Sequence, residues 1–304
     1  MNIAAPIIHI LSALLLSPFL TGIINRTKAK FAGRKGQPLL QPYYDLVKLL
    51  KKGSVYSTTT TPVFRLGPVV GLSAVVVAII VIPSNGFKGL FSFPCDFVLL
   101  AYALGLARFM TVLSALDTGS AFEGMGASRE MQFGILSEVV LFLGFAVLVV
   151  GTSETSLSGI YSRLWDNNFS HIGPAVFLVA FSFLIVLLTE NCRIPVDDPN
   201  THLELTMIHE VMILDHGGVD LAIIQFGASM KLWLFSALIT GMAIPAGTNV
   251  ALTNMTINII GIFAIAVLVG IIESGMARLR LLHVPHMLLA ALSVTLAALL
   301  WVLR

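Results

Sequence analysis

The sequence predicts an all-α, polytopic membrane helical bundle, with about eight transmembrane helices in a single integral membrane domain over residues 1–304. Two observations predict it. Hydrophobic residues make up 57% of the chain and charged residues only 11%, where a soluble domain carries about 25% charged residues. The apolar residues also fall into long runs, each near the ~20 residues that a helix needs to cross the hydrocarbon core. Mean hydropathy is accordingly high, at +0.92. Each span must be helical, because lipid offers no partner to an unpaired backbone group.

The spans read at about 3–25, 66–83, 96–116, 132–151, 172–190, 220–244, 257–277 and 285–303. The first has no Lys or Arg before Arg26, so it lacks the basic start of a cleaved signal peptide and reads as a true span. The loop after it opens with a basic, Gly- and Pro-rich stretch over 26–41. Tyr43, Leu46, Val47 and Leu50 then recur at i, i+3, i+4 and i+7, beside Lys48, Lys51 and Lys52. That spacing predicts a short amphipathic helix, lying on the membrane surface or packed on a partner. Residues 117–131, DTGSAFEGMGASREM, read as a loop whose small residues allow close backbone approach. No internal repeat of the kind that marks secondary transporters is present.

Basic residues set the expected orientation. Arg26, Lys28, Lys30, Arg34, Arg129, Arg193 and Arg278 belong to odd-numbered loops or their edges, whereas the even-numbered loops hold only Lys88 and Arg163. The odd loops are therefore expected on the cytoplasmic side, with both termini outside.

Charges within spans need a reason, since one near mid-bilayer costs at least about 2.5–3.5 kcal/mol. Arg108 lies deep in the third span, Glu138 inside the fourth and Lys231 near the middle of the sixth. One reading is a polar track that relays ions, in which burial and neighbouring cations act on a carboxylate in opposite directions. The other is an internal ion pair, such as Glu138 with Arg108. Glu190 and Glu273, at span ends, read as structural.

The densest polar segment is 189–216, TENCRIPVDDPNTHLELTMIHEVMILDH. Glu190, Asp197, Asp198, Glu204, Glu210 and Asp215 stand in it with His202, His209 and His216, although the whole chain has only 16 acidic residues. Asp198 suits a helix N-cap and Pro199 the first helical position. A helix running on from there would put His202 and His209 on nearly one face, because seven residues make about two turns. Such groups can hold protons, bind a polar head group or pair with a partner's basic residues.

Other chemistries are excluded or unsupported. Two cysteines, Cys95 and Cys192, cannot supply a cluster that needs four. They fall near opposite sides of the membrane and are not expected to pair. His283 and His286 are a weak metal signal, and the HEVMI stretch at 209–213 lacks the second histidine of a zinc protease motif, so no metal site is assigned. A net charge of +2 does not suggest nucleic acid; the basic first loop suits anionic lipid head groups.

Three loop motifs carry a family resemblance. They are GRKGQPLLQPYYDLVKLLKK at 33–52, ALDTGSAFEGMGASRE at 115–130 and TENCRIPVDDP at 189–199, the last with an E-x-x-R-x-P-x-D pattern at Glu190, Arg193, Pro195 and Asp197. Together they resemble the respiratory complex I subunit 1 family, and most nearly its branch in membrane-bound NiFe hydrogenases of the formate hydrogenlyase and hydrogenase-4 kind. The resemblance implies a component of the cell inner membrane that is not catalytic alone. It would anchor a peripheral redox arm and couple its chemistry to H⁺ or Na⁺ movement. It also implies hydrogenase large and small subunits, an iron–sulfur subunit and antiporter-like membrane subunits as partners. The NiFe centre and iron–sulfur clusters would sit in those partners, with no cofactor in this chain. By motif match Asp197 and Glu204 correspond to acidic-loop carboxylates of the family, Glu138 to its buried glutamate and Arg193 to the loop arginine. Asn200 and His202 stand where the complex I loop continues with acids, which favours the hydrogenase branch over a quinone-binding component of an NADH dehydrogenase. Ion coupling is thus expected from Glu138, Asp197, Glu204, Glu210, Arg108 and Lys231. Loop or partner contacts are expected from Arg129, Glu130, Arg193, His202 and His209.

Overall fold

The computed structural model describes residues 4–84, 88–164, 169–198, 207–244 and 251–304. Its α-helices are α1 (Ala4–Phe31), α2 (Gln41–Leu50), α3 (Pro62–Val81), α4 (Asp96–Asp117), α5 (Ala121–Thr152), α6 (Leu157–Arg163), α7 (Phe169–Glu190), α8 (His209–Met212), α9 (Gly218–Ala243), α10 (Ala251–Gly275) and α11 (Val284–Leu303). Eight of them, α1, α3, α4, α5, α7, α9, α10 and α11, are long and apolar enough to cross a membrane. This is the all-α, eight-span bundle that the apolar runs predict. Large apolar side chains on its outside, such as Leu15, Tyr102, Phe177 and Leu300, are well exposed. In water they would be a liability; in a bilayer they are the lipid contact.

Two of the boundaries that differ from expectation matter for the site. The first helix continues to Phe31, so Arg26, Lys28 and Lys30 are helical. The segment 121–131 is not a loop: α5 starts at Ala121 and runs 32 residues. Ser120 caps it by accepting from the Glu123 N–H at 3.5 Å. Ser120 and Glu123 have the S-x-x-E spacing of a capping box, a signal hidden by the small residues around it. Thr61 caps α3, and the Asp117 carboxylate holds that turn by accepting from the Thr61 N–H at 2.7 Å and its hydroxyl at 2.8 Å.

Helix alternation places the odd-numbered loops at one end of the bundle, the basic end. Cys192 lies there and Cys95 at the opposite end, where the Cys95 N–H donates to the Thr155 carbonyl at 2.9 Å. Both are free thiols. The core is close-packed between helices: Phe145 meets Phe183 edge-on with centroids 5.3 Å apart, and Trp233 meets Phe263 at 6.4 Å. The amphipathic spacing at 43–50 does form a helix, α2, which packs on α1 and α9 at the basic end. Its Tyr43 hydroxyl donates to the Leu15 carbonyl at 2.5 Å. Tyr44, Val47 and Leu50 remain exposed on its outer face.

The acidic segment folds back against the bundle. A single helix from Asp198 to His209 does not form, because residues 207 and 208 are non-helical and α8 begins at His209. His202 and Glu204 lie outside the described residues, as does the proposed start at Pro199. The short α8 packs on α5 at Gly126, where a Cβ would come within 2.2 Å of Val211 Cγ1.

Candidate functional site

Arg108 is the centre of the site. It projects from the middle of α4 and is 8% exposed. Its Nη1 donates to Glu138 Oε1 at 2.9 Å. Its Nη2 donates to Glu190 Oε1 in a short bond. Its Nε lies 3.9 Å from Glu130 Oε1. Lys231, from α9, approaches Glu190 Oε2 at 3.6 Å. The Ser137 hydroxyl also donates to Glu190 Oε1. Four helices thus converge on one buried cluster: α4 gives Arg108, α5 gives Glu130, Ser137 and Glu138, α7 gives Glu190 and α9 gives Lys231.

The cluster sets three carboxylates against two cations. It is balanced when one carboxylate carries a proton. A group of this kind can exchange that proton for another or for a small cation without leaving net charge buried. The simple pair of Glu138 with Arg108 is present in the geometry, but as one edge of a larger network.

A glycine makes room for it. A Cβ on Gly134 would fall 2.5 Å from Cζ, Nε and Nη1 of Arg108, so the guanidinium lies against bare α5 backbone. Gly134→Ala is expected to push Arg108 off its carboxylates and to destabilise the chain by about 1–3 kcal/mol, the usual cost of overpacking. The check is the thermal midpoint of the purified chain in detergent; an unchanged midpoint would contradict the close contact.

Two further ion groups line the basic end. Glu273, buried on α10, forms an ion pair with Lys28 at 2.8 Å and faces Arg193 at 3.5 Å. Asp197 pairs with Arg278 at 2.7 Å. Asp197 also accepts from the Ile208 N–H at 2.9 Å and the Asp198 N–H at 3.0 Å. Burial raises the Asp197 carboxyl above its ordinary value, against the pull of those N–H groups and of Arg278. Burial, with the Lys231 charge second, lowers His209 to about 4, so its imidazole is neutral at neutral pH. Burial pushes the Cys192 thiol well up, and the charges of Glu130 and Asp197 add to the effect.

Several residues sit elsewhere than their sequence positions suggest. Glu130 is not on a partner-facing loop: it is an interior residue of α5, and its Oε2 accepts from the Cys192 thiol at 3.7 Å. Arg193 turns inward toward Glu273. Arg129 is half-buried and donates to the Met207 carbonyl at 2.9 Å, tying α5 to the acidic segment. Glu210 and His209 border a cavity at the basic end, beside Asp197 and Asp45. Glu190, whose span-end position suggests a structural role, is the most connected carboxylate of the cluster.

The fold and the buried network define a class: a multi-pass helical membrane protein organised around internal ion pairs. The NADH dehydrogenase family model matches residues 3–303. The chain belongs to that family, the family of complex I subunit 1. It is 32% identical to hydrogenase-4 component C of Escherichia coli (strain K12) over 95% of this chain and 91% of that protein. It is 29% identical to formate hydrogenlyase subunit 4 of the same organism, over 94% of each. An NADH-quinone oxidoreductase subunit of Syntrophotalea carbinolica (strain DSM 2380 / NBRC 103641 / GraBd1) is 26% identical over 80% of this chain and 74% of that protein. Among solved structures, a chain of the membrane-bound sulfane sulfur reductase, an archaeal respiratory membrane complex, has the same fold, with a TM-score of 0.84 and 17% identity over 99% of this chain and 100% of that one.

Proposed function

We propose that this chain is the membrane-anchoring and energy-coupling subunit of a membrane-bound NiFe hydrogenase complex. It links redox chemistry in a peripheral arm to H⁺ or Na⁺ translocation. The observation that carries the reading is the network of three carboxylates and two cations within the bundle, in a chain most of whose length matches hydrogenase-4 component C. An inert anchor has no need for such a network, since each uncompensated charge in lipid is costly.

In this reading the NiFe centre and iron–sulfur clusters belong to hydrogenase large and small subunits and an iron–sulfur subunit. Antiporter-like membrane subunits flank the chain. The basic end faces the cytoplasm and docks the arm through residues 26–56, 117–131 and 190–216. The membrane is the cell inner membrane, and both termini are outside. A quinone-binding component of a complex I-type NADH dehydrogenase is the second reading. The NADH-quinone oxidoreductase relative matches at lower identity over a shorter share of the chain.

The test is ion uptake by sealed vesicles that hold the whole complex, driven by hydrogen evolution. The Glu138→Gln, Asp197→Asn and Glu204→Gln triple variant is expected to assemble, judged by subunit content, and to lose uptake. Full uptake in that variant rules the coupling role out.

A further inference from the structure

A second set of buried polar groups lies apart from the carboxylate cluster, where α1, α9 and α10 pack together. Trp233, Ser236 and Thr240 recur at i, i+3 and i+7 on one face of α9. That face meets α10: the Trp233 ring contacts Phe263, and a Cβ on Gly261 would collide with Thr240 Cγ2. On α1, Thr27 lies against Gly270 of α10. Ile24, Leu20, Ser17, Ala13 and His9 follow it toward the outer end at spacings of three or four, all of them buried. The two helices run in the same direction, with Phe19 against Phe263. His9 therefore stands level with the first turns of α10, where Asn254 and Asn258 are buried. From Phe19 to His9 this column covers about 15 Å.

His9 Nε2, Ser17 Oγ, Ser236 Oγ, Thr240 Oγ1 and Trp233 Nε1 are enclosed and have no hydrogen-bond partner among the described residues. A polar atom left unmet in the interior costs about 1–3 kcal/mol, and internal water is what ordinarily satisfies such groups. Hydroxyl and imidazole both donate and accept, so each can take a proton on one side and release its own on the other. The indole N–H of Trp233 donates only, so a relay of protons stops there. From Trp233 outward the three helices carry no Asp, Glu, Lys or Arg. A sodium ion at that depth would meet no counter-charge, and its charge would be costly.

We propose that His9, Ser17, Ser236 and Thr240 line a water-filled outer half-path for protons, and that Trp233 is the plug that closes its inner end. The inference rests on the ion-coupling reading of the chain and names the ion and the outward route. Lys231, two residues before Trp233, faces the carboxylate cluster from the other side of α9, so the plug stands level with the cluster. Ser229, one turn before Trp233, borders the cavity at the basic end. A plug between Ser229 and Ser236 keeps protons from crossing outside turnover.

The experiment needs no hydrogen evolution, so it can fail while ion uptake by the complex stands. Sealed vesicles that hold the whole complex are loaded with pyranine and given a potassium diffusion potential with valinomycin. Proton entry is read from the pyranine fluorescence. Trp233→Phe and Trp233→Tyr differ by one hydroxyl, a group that relays protons where a phenyl ring cannot. Trp233→Tyr is expected to admit protons about a hundredfold faster than Trp233→Phe, on the scale of a positioned proton-transfer group. Adding Ser236→Ala and Thr240→Val to Trp233→Tyr should return the rate to that of Trp233→Phe. If subunit content shows that Trp233→Tyr does not assemble, Trp233→His supplies the relay in its place. A rate equal to that of Trp233→Phe in the assembled relay variant overturns the plug. A fast rate that survives loss of the Ser236 and Thr240 hydroxyls overturns the path. Sodium entry as fast as proton entry, read with a sodium-sensitive dye, overturns the assignment of the ion.

Discussion

Arg108→Leu is expected to cost about 3–5 kcal/mol of stability, the range for removing one partner of a buried ion pair. The effect is large because a single guanidinium serves Glu130, Glu138 and Glu190 together. Its loss leaves Lys231 alone against three carboxylates, away from water. The variant chain is expected to accumulate poorly in membranes and to melt well below the wild type when purified in detergent. Arg108→Lys should recover only part of the loss, because an ammonium cannot reproduce the planar fork that divides Nη1 and Nη2 between Glu138 and Glu190. Adding Glu190→Met to the Arg108→Leu variant should restore more, since it removes the carboxylate left most exposed to the missing charge. A wild-type melting point in Arg108→Leu would mean that the network does not hold the helices together.

Glu190→Gln is expected to have the largest effect on ion coupling. Glu190 is the only carboxylate among the described residues with an ion contact to both Arg108 and Lys231. Gln keeps the size and can still accept from Ser137 and Arg108, so assembly should survive. It removes the anion set against both cations, and with it the charge balance that places a proton on the other carboxylates of the cluster. Ion uptake in sealed vesicles should fall by about a hundredfold, the low end of what a positioned proton-transfer group contributes. Glu138→Gln should fall less, because its side chain is 35% exposed and touches Arg108 alone, at 2.9 Å. An equal or larger loss in Glu138→Gln would assign the central role to Glu138 instead. This order reverses the ranking that sequence position suggests, in which Glu138 is buried and Glu190 is peripheral.

What the sequence determined by itself is what a one-dimensional pattern can hold. Apolar runs of crossing length fix the number of spans and the helical class, because the bilayer imposes a length and a backbone rule on each run separately. The isolated charges Arg108, Glu138 and Lys231 stand out for the same reason, and the loop motifs around Glu190, Arg193 and Asp197 carry the family. The amphipathic stretch at 43–50 is legible from its spacing alone. Tertiary structure decided which charges meet. Glu130 lies in a stretch of small residues that reads as a loop, and it joins the network only because α5 begins just after Ser120 and carries Glu130, Gly134 and Glu138 down one face. That face was available as an i, i+4, i+8 spacing, but only to a reading that extended the helix back to its cap. Glu190 sits at a span end, where position along the chain suggests the interface. The packing of α4, α5, α7 and α9 instead encloses it between Arg108 and Lys231. Arg193 and Glu273, far apart in sequence, pair for the same reason. The energy of a buried charge depends on the partners that other helices bring to it, and no local pattern encodes those partners.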